Sequence, residues 1–458
     1  MKNVSFLHGL IDSIVERGRS LLEGTPGSDI GLEELIELSR ALVAGHGEFS
    51  GSLLAQQIIT GYRALGADDR LAFFQFLASE FVPDKTKLEV SAKLYLDDPS
   101  PEHLTQLAED VEGPRQEFFR RLNLTPNGAR AMVAMRLDLL KNLKQHPELK
   151  VVDKDFIHLF GSWFNRGFLV LRRIDWSTSA QTLEKIIKYE AVHEISDWSD
   201  LKRRLNPVDR RCYAFFHPAL MDDPLIFVEV ALSQDIPASI QGLLAEKTLE
   251  KPQTPSTAVF YSISNCQKGL QGISFGNLLI KQVATDLAQE IPSLKNFVTL
   301  SPIPRFAAWL KDIRANENFG ALSRDEIERL EALDSVDWQR EGEQRAQLEE
   351  PLKHLVARYL LSAKSSRNQV LDPVARFHLG NGARLERINW LGDLSPAGIK
   401  RSHGLMVNYL YDLAAVEANH EAYVNEGEIA ASNAVKKLLR GKPATEVQSL
   451  PPKQSAVG

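Results

Sequence analysis

The sequence predicts an α+β multidomain protein. An all-helical N-terminal domain spans 1–160, a sheet-containing domain spans 161–440 and ends in helices, and 441–458 form a tail. Three observations carry this. Apolar residues recur at three- and four-residue spacing through the first third. Past Asp153 the pattern changes to short runs of strand formers. The strand Ala258–Ser264, the glycine loop Asn265–Asn277, a helix from Leu278 to Glu290 and a second strand Phe297–Leu300 then follow in order, which is sheet with helices packed on it.

The helical stripes are Phe6, Leu7, Leu10, Ile11 and Ile14; Leu32, Leu35, Ile36 and Leu42; Leu54, Ile58 and Leu65; and Leu71, Phe74 and Leu77. Gly24 to Gly27, Gly45 to Gly51, Gly66 and Pro83 separate them. Thr125 and Pro126 read as cap and first residue of a longer helix through Met132, Met135, Leu139 and Leu140. These faces suit a helical bundle that touches other subunits, and no residue there reads as catalytic. Phe168–Leu171 is the first expected strand, followed by Cys212–Phe216 and Leu225–Leu232. His217, just past a strand end, reads as structural. The stretch Arg305–Gln369 is charged and helical, with solvated faces at 325–333 and 337–355. Arg384–Trp390 alternates as a strand, and Leu405–Val416 and Glu428–Leu439 are expected as closing helices.

Composition excludes several classes. With 458 residues, 43% of them hydrophobic and 25% charged, the chain can bury a sizeable core. A net charge of −6 argues against a nucleic-acid binder. Two cysteines, Cys212 and Cys266, cannot build a disulfide framework and suit a reducing compartment. No run reaches membrane-spanning length, and Asp12 and Glu16 interrupt the apolar N-terminus, so no signal peptide is expected. No His/Cys cluster has metal-ligand spacing, and no metal or organic cofactor is expected.

The loop Asn265–Asn277 holds Gly269, Gly272 and Gly276 between a strand and a helix. Glycines let the backbone approach a ligand closely, and the first-turn N–H groups of the helix favour an anion such as a pyrophosphate. The same pattern also serves as an ordinary connection. It is neither a Walker motif nor a Gly-x-Gly-x-x-Gly run.

Two blocks then resemble malonyl-CoA decarboxylase. The first is Phe260–Ser264, Gly269-Leu270-Gln271-Gly272 with Gly276, and Leu300-Ser301-Pro302-Ile303-Pro304 with Trp309. The second is Phe377-His378-Leu379, Asn381-Gly382-Ala383, Arg387-Ile388-Asn389-Trp390, Gly404-Leu405-Met406 and Asn408-Tyr409. The resemblance implies a helical N-terminal domain followed by a GNAT-like acyl-transferase fold, and conversion of malonyl-CoA to acetyl-CoA and CO2. It implies catalytic roles for Ser301 and His378. It implies contacts to substrate or coenzyme A from Ser262, Asn265, Gln271, Gly272, Ile273, Ser274, Phe275, Gly276, Asn277, Pro302 and Tyr411. By pattern alone Ser301 reads as a turn serine and His378 as structural; the resemblance reverses both readings. The family's roles are proton acceptor for Ser301 and donor for His378. An unassisted serine is a poor base, so Ser301 is better cast as holding the carboxylate while His378 supplies the proton. Animal relatives carry a glutamate where this chain has Ser274. They often end in Ser-Lys-Leu, whereas this chain ends Ser455-Ala456-Val457-Gly458 and reads as cytoplasmic. The resemblance also implies a homo-oligomer, a tetramer. A GNAT-type CoA-dependent acyltransferase and a non-catalytic acyl-CoA sensor are the alternatives.

Overall fold

The computed structural model describes residues 30–45, 47–245, 254–273, 279–315, 324–335, 338–340, 342–365 and 368–439. The expected stripe at Phe6–Ile14, loop residues Ser274–Asn277 and the tail at 441–458 lie outside them. The chain divides into two compact units. One comprises 1–170 with 216–225 and 266–275; the other comprises 171–215, 226–265 and 276–458.

Helices build the first unit, from Leu32–Ala44 to Lys150–Trp163. The expected stripes face inward: Leu35, Leu42, Ile58, Phe74 and Leu77 are buried. Phenylalanines continue this core. Phe119 and Phe156 rings lie 4.2 Å apart, and Phe156 meets Phe160 at 5.4 Å; such pairs add ~1 kcal/mol each beyond area burial. Two expectations are corrected here. The helix expected from Thr125 starts at Gly128. Thr125 caps nothing, because its hydroxyl turns back to the Leu122 carbonyl at 2.9 Å. The strand expected at Phe168–Leu171 begins later: the Asn165 side chain accepts from Gly167 N and sets a single 3-10 turn over Arg166–Phe168.

The second unit carries the sheet: β1 Val170–Ile174, β2 Arg210–Phe216, β3 Pro224–Ser233, β4 Thr257–Asn265, β5 Asn296–Thr299, β6 Ser301–Pro302, β7 Arg384–Asn389 and β8 Met406–Leu410. Their order is β1-β2-β3-β4-β5-β8-β6, with β7 also on β8. β3 and β4 run antiparallel, whereas β4 and β5 are parallel. This is the α+β arrangement expected for this part of the chain.

Two features of β4 shape the sheet. The β3–β4 register shifts between Glu229↔Ser262 and Val230↔Phe260, so Tyr261 is an extra residue on β4. β4 pairs with β5 only from Thr257↔Asn296 to Phe260↔Thr299, and a last bond runs from Leu300 N to Phe260 O. Beyond the bulge β4 continues on β3 alone, while the chain after β5 turns to pair with β8 through Ser301↔Val407. The strands therefore part beside Ser301.

The helix expected over Leu405–Val416 is corrected. Met406–Leu410 is strand β8, paired with β5, β6 and β7. Met406, Val407, Asn408 and Tyr409 are all buried. A strand covered on both faces shows no alternation, so periodicity could not tell it from a buried helix. Within Glu428–Leu439 only Asn433–Lys437 is α-helical, capped by Ser432, and Ala431 bridges Leu385 instead.

Candidate active site

Ser301 opens β6 one residue after β5 ends, and its backbone pairs with Val407 of β8. His378 comes from the last turn of the helix Pro373–Gly380. That helix has strong local reasons to form. Asp372 caps it with one carboxylate oxygen on Val374 N and Ala375 N, and Pro373 takes the first position. It stops where Gly382 adopts φ +78°. Tyr411 follows β8 directly and is tied to β5 by Tyr411 N to Phe297 O at 2.8 Å.

These elements bring three sequence-predicted residues together. Ser301 Oγ lies 3.1 Å from His378 Nε2, and His378 Nδ1 lies 2.8 Å from the Tyr411 hydroxyl. All three are buried. Burial pushes the His378 imidazole down to about 3, and pushes the Tyr411 phenol up. Both groups are neutral at physiological pH. The Ser301 hydroxyl donates to Thr299 Oγ1 at 2.8 Å. Its oxygen therefore accepts from His378 Nε2–H, and Nδ1 accepts from Tyr411. Every donor points one way, from Tyr411 through His378 and Ser301 to Thr299. The Tyr409 ring stacks on the imidazole, with centroids 4.7 Å apart and planes at 25°.

A polar network behind Thr299 holds this chain, and sequence reasoning assigned it no role. Thr299 Oγ1 accepts from Tyr409 N, and the Thr299 carbonyl accepts from Asn408 Nδ2 at 2.8 Å. Asn408 Oδ1 in turn accepts from Asn389 Nδ2 and Arg387 Nε. Arg387 Nη2 donates to the Ile236 and Pro237 carbonyls. Arg387, Asn389, Asn408 and Tyr409 stood inside the motif blocks. The usable signal was polar residues alternating with apolar ones in strands that are otherwise buried.

The remaining sequence-predicted residues fall elsewhere. Ser262 donates to the Glu190 carboxylate at 2.7 and 2.8 Å, beside Ser264, which donates to the same group at 3.2 Å. Glu190 was not foreseen. Pro302 pairs with Met406, and Asn265 ends β4 exposed. After a 3-10 turn at Lys268–Leu270, Gln271 and Gly272 form an exposed turn and Ile273 is buried, its N–H on the Leu270 carbonyl. Gly272 has φ +81° and open space where a Cβ would stand. Among the described residues no group of three His, Cys, Asp or Glu side chains is placed to hold a metal, and no helix is long and apolar enough to cross a membrane.

Fold and site together define a two-part enzyme: a helical unit and an α+β unit that buries a neutral Ser–His–Tyr chain. Comparison with known proteins narrows this. Residues 81–164 match the malonyl-CoA decarboxylase N-terminal domain, and residues 167–449 match the malonyl-CoA decarboxylase C-terminal domain. The mitochondrial malonyl-CoA decarboxylase of Anser anser anser is 38% identical over 413 residues, covering 84% of this chain and 80% of that one. The crystal structure of malonyl-CoA decarboxylase from Rhodopseudomonas palustris is 52% identical with TM-score 0.85, covering 89% of this chain and 99% of that one. The Agrobacterium vitis structure is 49% identical at the same TM-score and coverage. The chain belongs to the malonyl-CoA decarboxylase family, a family of carboxy-lyases.

Proposed function

We propose that this chain converts malonyl-CoA to acetyl-CoA and CO2, with Ser301 and His378 as its catalytic residues. The observation that carries the residue assignment is the single-direction hydrogen-bond chain Tyr411–His378–Ser301–Thr299. Loss of CO2 leaves the enolate of a thioester, whose carbonyl is itself the electron sink. The enzyme must hold the carboxylate out of the enolate plane and then protonate carbon. In this reading the Ser301 hydroxyl swings from Thr299 to a malonyl oxygen and fixes it. His378 Nε2–H, released from Ser301, gives its proton to carbon. A neutral imidazole suffices, because a thioester enolate is a far stronger base than imidazolate. Tyr411 passes a proton to Nδ1 as Nε2 gives its own up, which leaves the ring neutral, and the phenolate so formed regains its proton from water to close the cycle, as the burial of both groups favours.

The exposed turn at Gln271 and Gly272 supports a role for this loop in holding the coenzyme A pyrophosphate, with Ser274–Asn277 continuing it in sequence. Ser262, Asn265, Pro302 and Tyr411 complete the proposed set of substrate contacts. We further assign 1–160 to oligomerisation, 161–440 to catalysis and 441–458 to a tail, with a cytoplasmic homotetramer serving fatty acid metabolism as the working form. Light scattering after gel filtration tests the subunit number.

The reaction is tested by CO2 release from malonyl-CoA by purified protein in EDTA, beside folded Ser301→Ala and His378→Ala variants. Turnover in the parent and loss in both variants is the expected result. Turnover that survives His378→Ala would remove the histidine from its role. Binding without turnover would favour the acyltransferase or sensor alternatives.

A further inference from the structure

We infer that Arg136, on a helix of the N-terminal unit, is a positioning residue for coenzyme A: it clamps the turn after β4 so that a backbone N–H faces the ligand. This rests on the proposed role of that turn as the pyrophosphate cradle.

Arg136 is 1% exposed, although arginine is among the residues least often buried. Two of its three guanidinium nitrogens are engaged. Nε bonds Asp153 Oδ1 at 2.8 Å, and Nη1 donates to two carbonyls of the same turn, Gly269 at 2.8 Å and Gln271 at 2.9 Å. The helix Gly128–Asn142 also packs directly on this turn. A Cβ at Gly269 would run into the Val133 carbonyl, one helical turn before Arg136. A guanidinium suits this work because its fork is planar and presents several donors in fixed directions.

The orientation of the carbonyls has a direct consequence. A trans peptide is planar, with its C=O and the next N–H pointing in opposite directions. The Gln271 carbonyl points at Arg136, so the Gly272 N–H points away from it. The preceding N–H groups of the turn are occupied: Leu270 N bonds Gln267 O, and Gln271 N bonds Lys268 O. The Ile273 N–H is occupied as well, on Leu270 O. The Gly272 N–H has no partner among the described residues, and the residue sits exposed at φ +81° with open space around it. An anionic oxygen is the ligand such a donor takes. The clamp also draws two carbonyl oxygens away from the side where an anion would meet their repulsion.

The test separates the clamp from the chemistry. Malonyl-CoA is compared with malonyl-pantetheine, which lacks the pyrophosphate, in the parent, Arg136→Gln and Arg136→Lys. Titration calorimetry with coenzyme A reads the same turn without turnover, so a parent that fails to decarboxylate still tests the clamp. Arg136→Gln is expected to raise KM for malonyl-CoA and Kd for coenzyme A ~10-fold, the loss of a charge-assisted hydrogen bond. kcat, and kcat/KM for malonyl-pantetheine, should stay near the parent's. Arg136→Lys should recover part of the loss, since one ammonium reaches one carbonyl. Equal losses on both substrates, or an unchanged coenzyme A Kd, would overturn the proposal. If Arg136→Gln does not fold, Asp153→Asn frees the guanidinium more gently. It should raise the coenzyme A Kd in the same sense, and an unchanged value would count against the clamp.

Discussion

His378 Nδ1 lies 2.8 Å from the Tyr411 hydroxyl, at the end of the helix Pro373–Gly380 on one side and just past β8 on the other. The contact sets the tautomer of a histidine that burial keeps neutral. Tyr411→Phe removes that donor and leaves the ring shape. We expect kcat for malonyl-CoA to fall ~10- to 100-fold with KM little changed, from the cost of an unsatisfied buried acceptor and a lost proton source. Steady-state kinetics decides, and an unchanged kcat would take Tyr411 out of the proton path.

Stability should fall as the medium turns acidic. Burial lowers His378 to about 3, and also lowers His193 and His403 to about 4. The unfolded chain takes up protons on these rings near pH ~6.5, while the folded chain does not. Their contribution is therefore complete above pH ~6.5 and is lost as pH drops toward the folded values, with a slope of up to ~1.4 kcal/mol per pH unit for each ring. Urea unfolding from pH 7.5 to 4.5 measures the slope. His378→Gln should make it shallower, and a parallel curve would contradict the assignment.

Arg204 and Glu229 form an ion pair at 3.0 Å with Glu229 fully enclosed. Burial raises the Glu229 carboxyl, and the guanidinium opposes that rise. Arg204→Leu leaves the carboxylate uncompensated and should cost about 3–5 kcal/mol, whereas removing both charges together should cost much less. Denaturant titration of the single and double variants provides the comparison. Equal losses in both would show that the charges are not coupled.

Gly382→Ala should damage both fold and site. Gly382 holds φ +78°, and an added Cβ would run into the Val416 carbonyl. A left-handed non-glycine residue costs about 1–2 kcal/mol before any clash. The same turn carries the Ala383 N–H bond to the His378 carbonyl at 3.1 Å. Lower thermal stability together with reduced kcat is expected, and a variant as active and stable as the parent would show the turn to be adaptable.

The sequence by itself determined the local elements. Helical stripes marked the buried faces of the N-terminal helices, and β-branched and aromatic runs marked β2, β3, β4 and β5, because side-chain periodicity reports which face of an element meets a core. Motif resemblance drew attention to Ser301, His378 and Tyr411. What only the tertiary structure decided is their meeting. Ser301 and His378 are 77 positions apart and meet because β6 pairs with β8, which leads straight into Tyr411, and the Tyr411 hydroxyl holds the imidazole beside Ser301. The helix expected over Leu405–Val416 hid that strand, since burial on both faces erased its alternation. Thr299, Asn408 and Arg387 escaped notice for a related reason. A buried polar side chain takes its meaning from its partners, and those partners came from β5, β7, β8 and the chain before Ala238. Arg136 is the same case: on its helix it looks like one more cation, and only the packing of Gly269 against Val133 gives its guanidinium two carbonyls to hold.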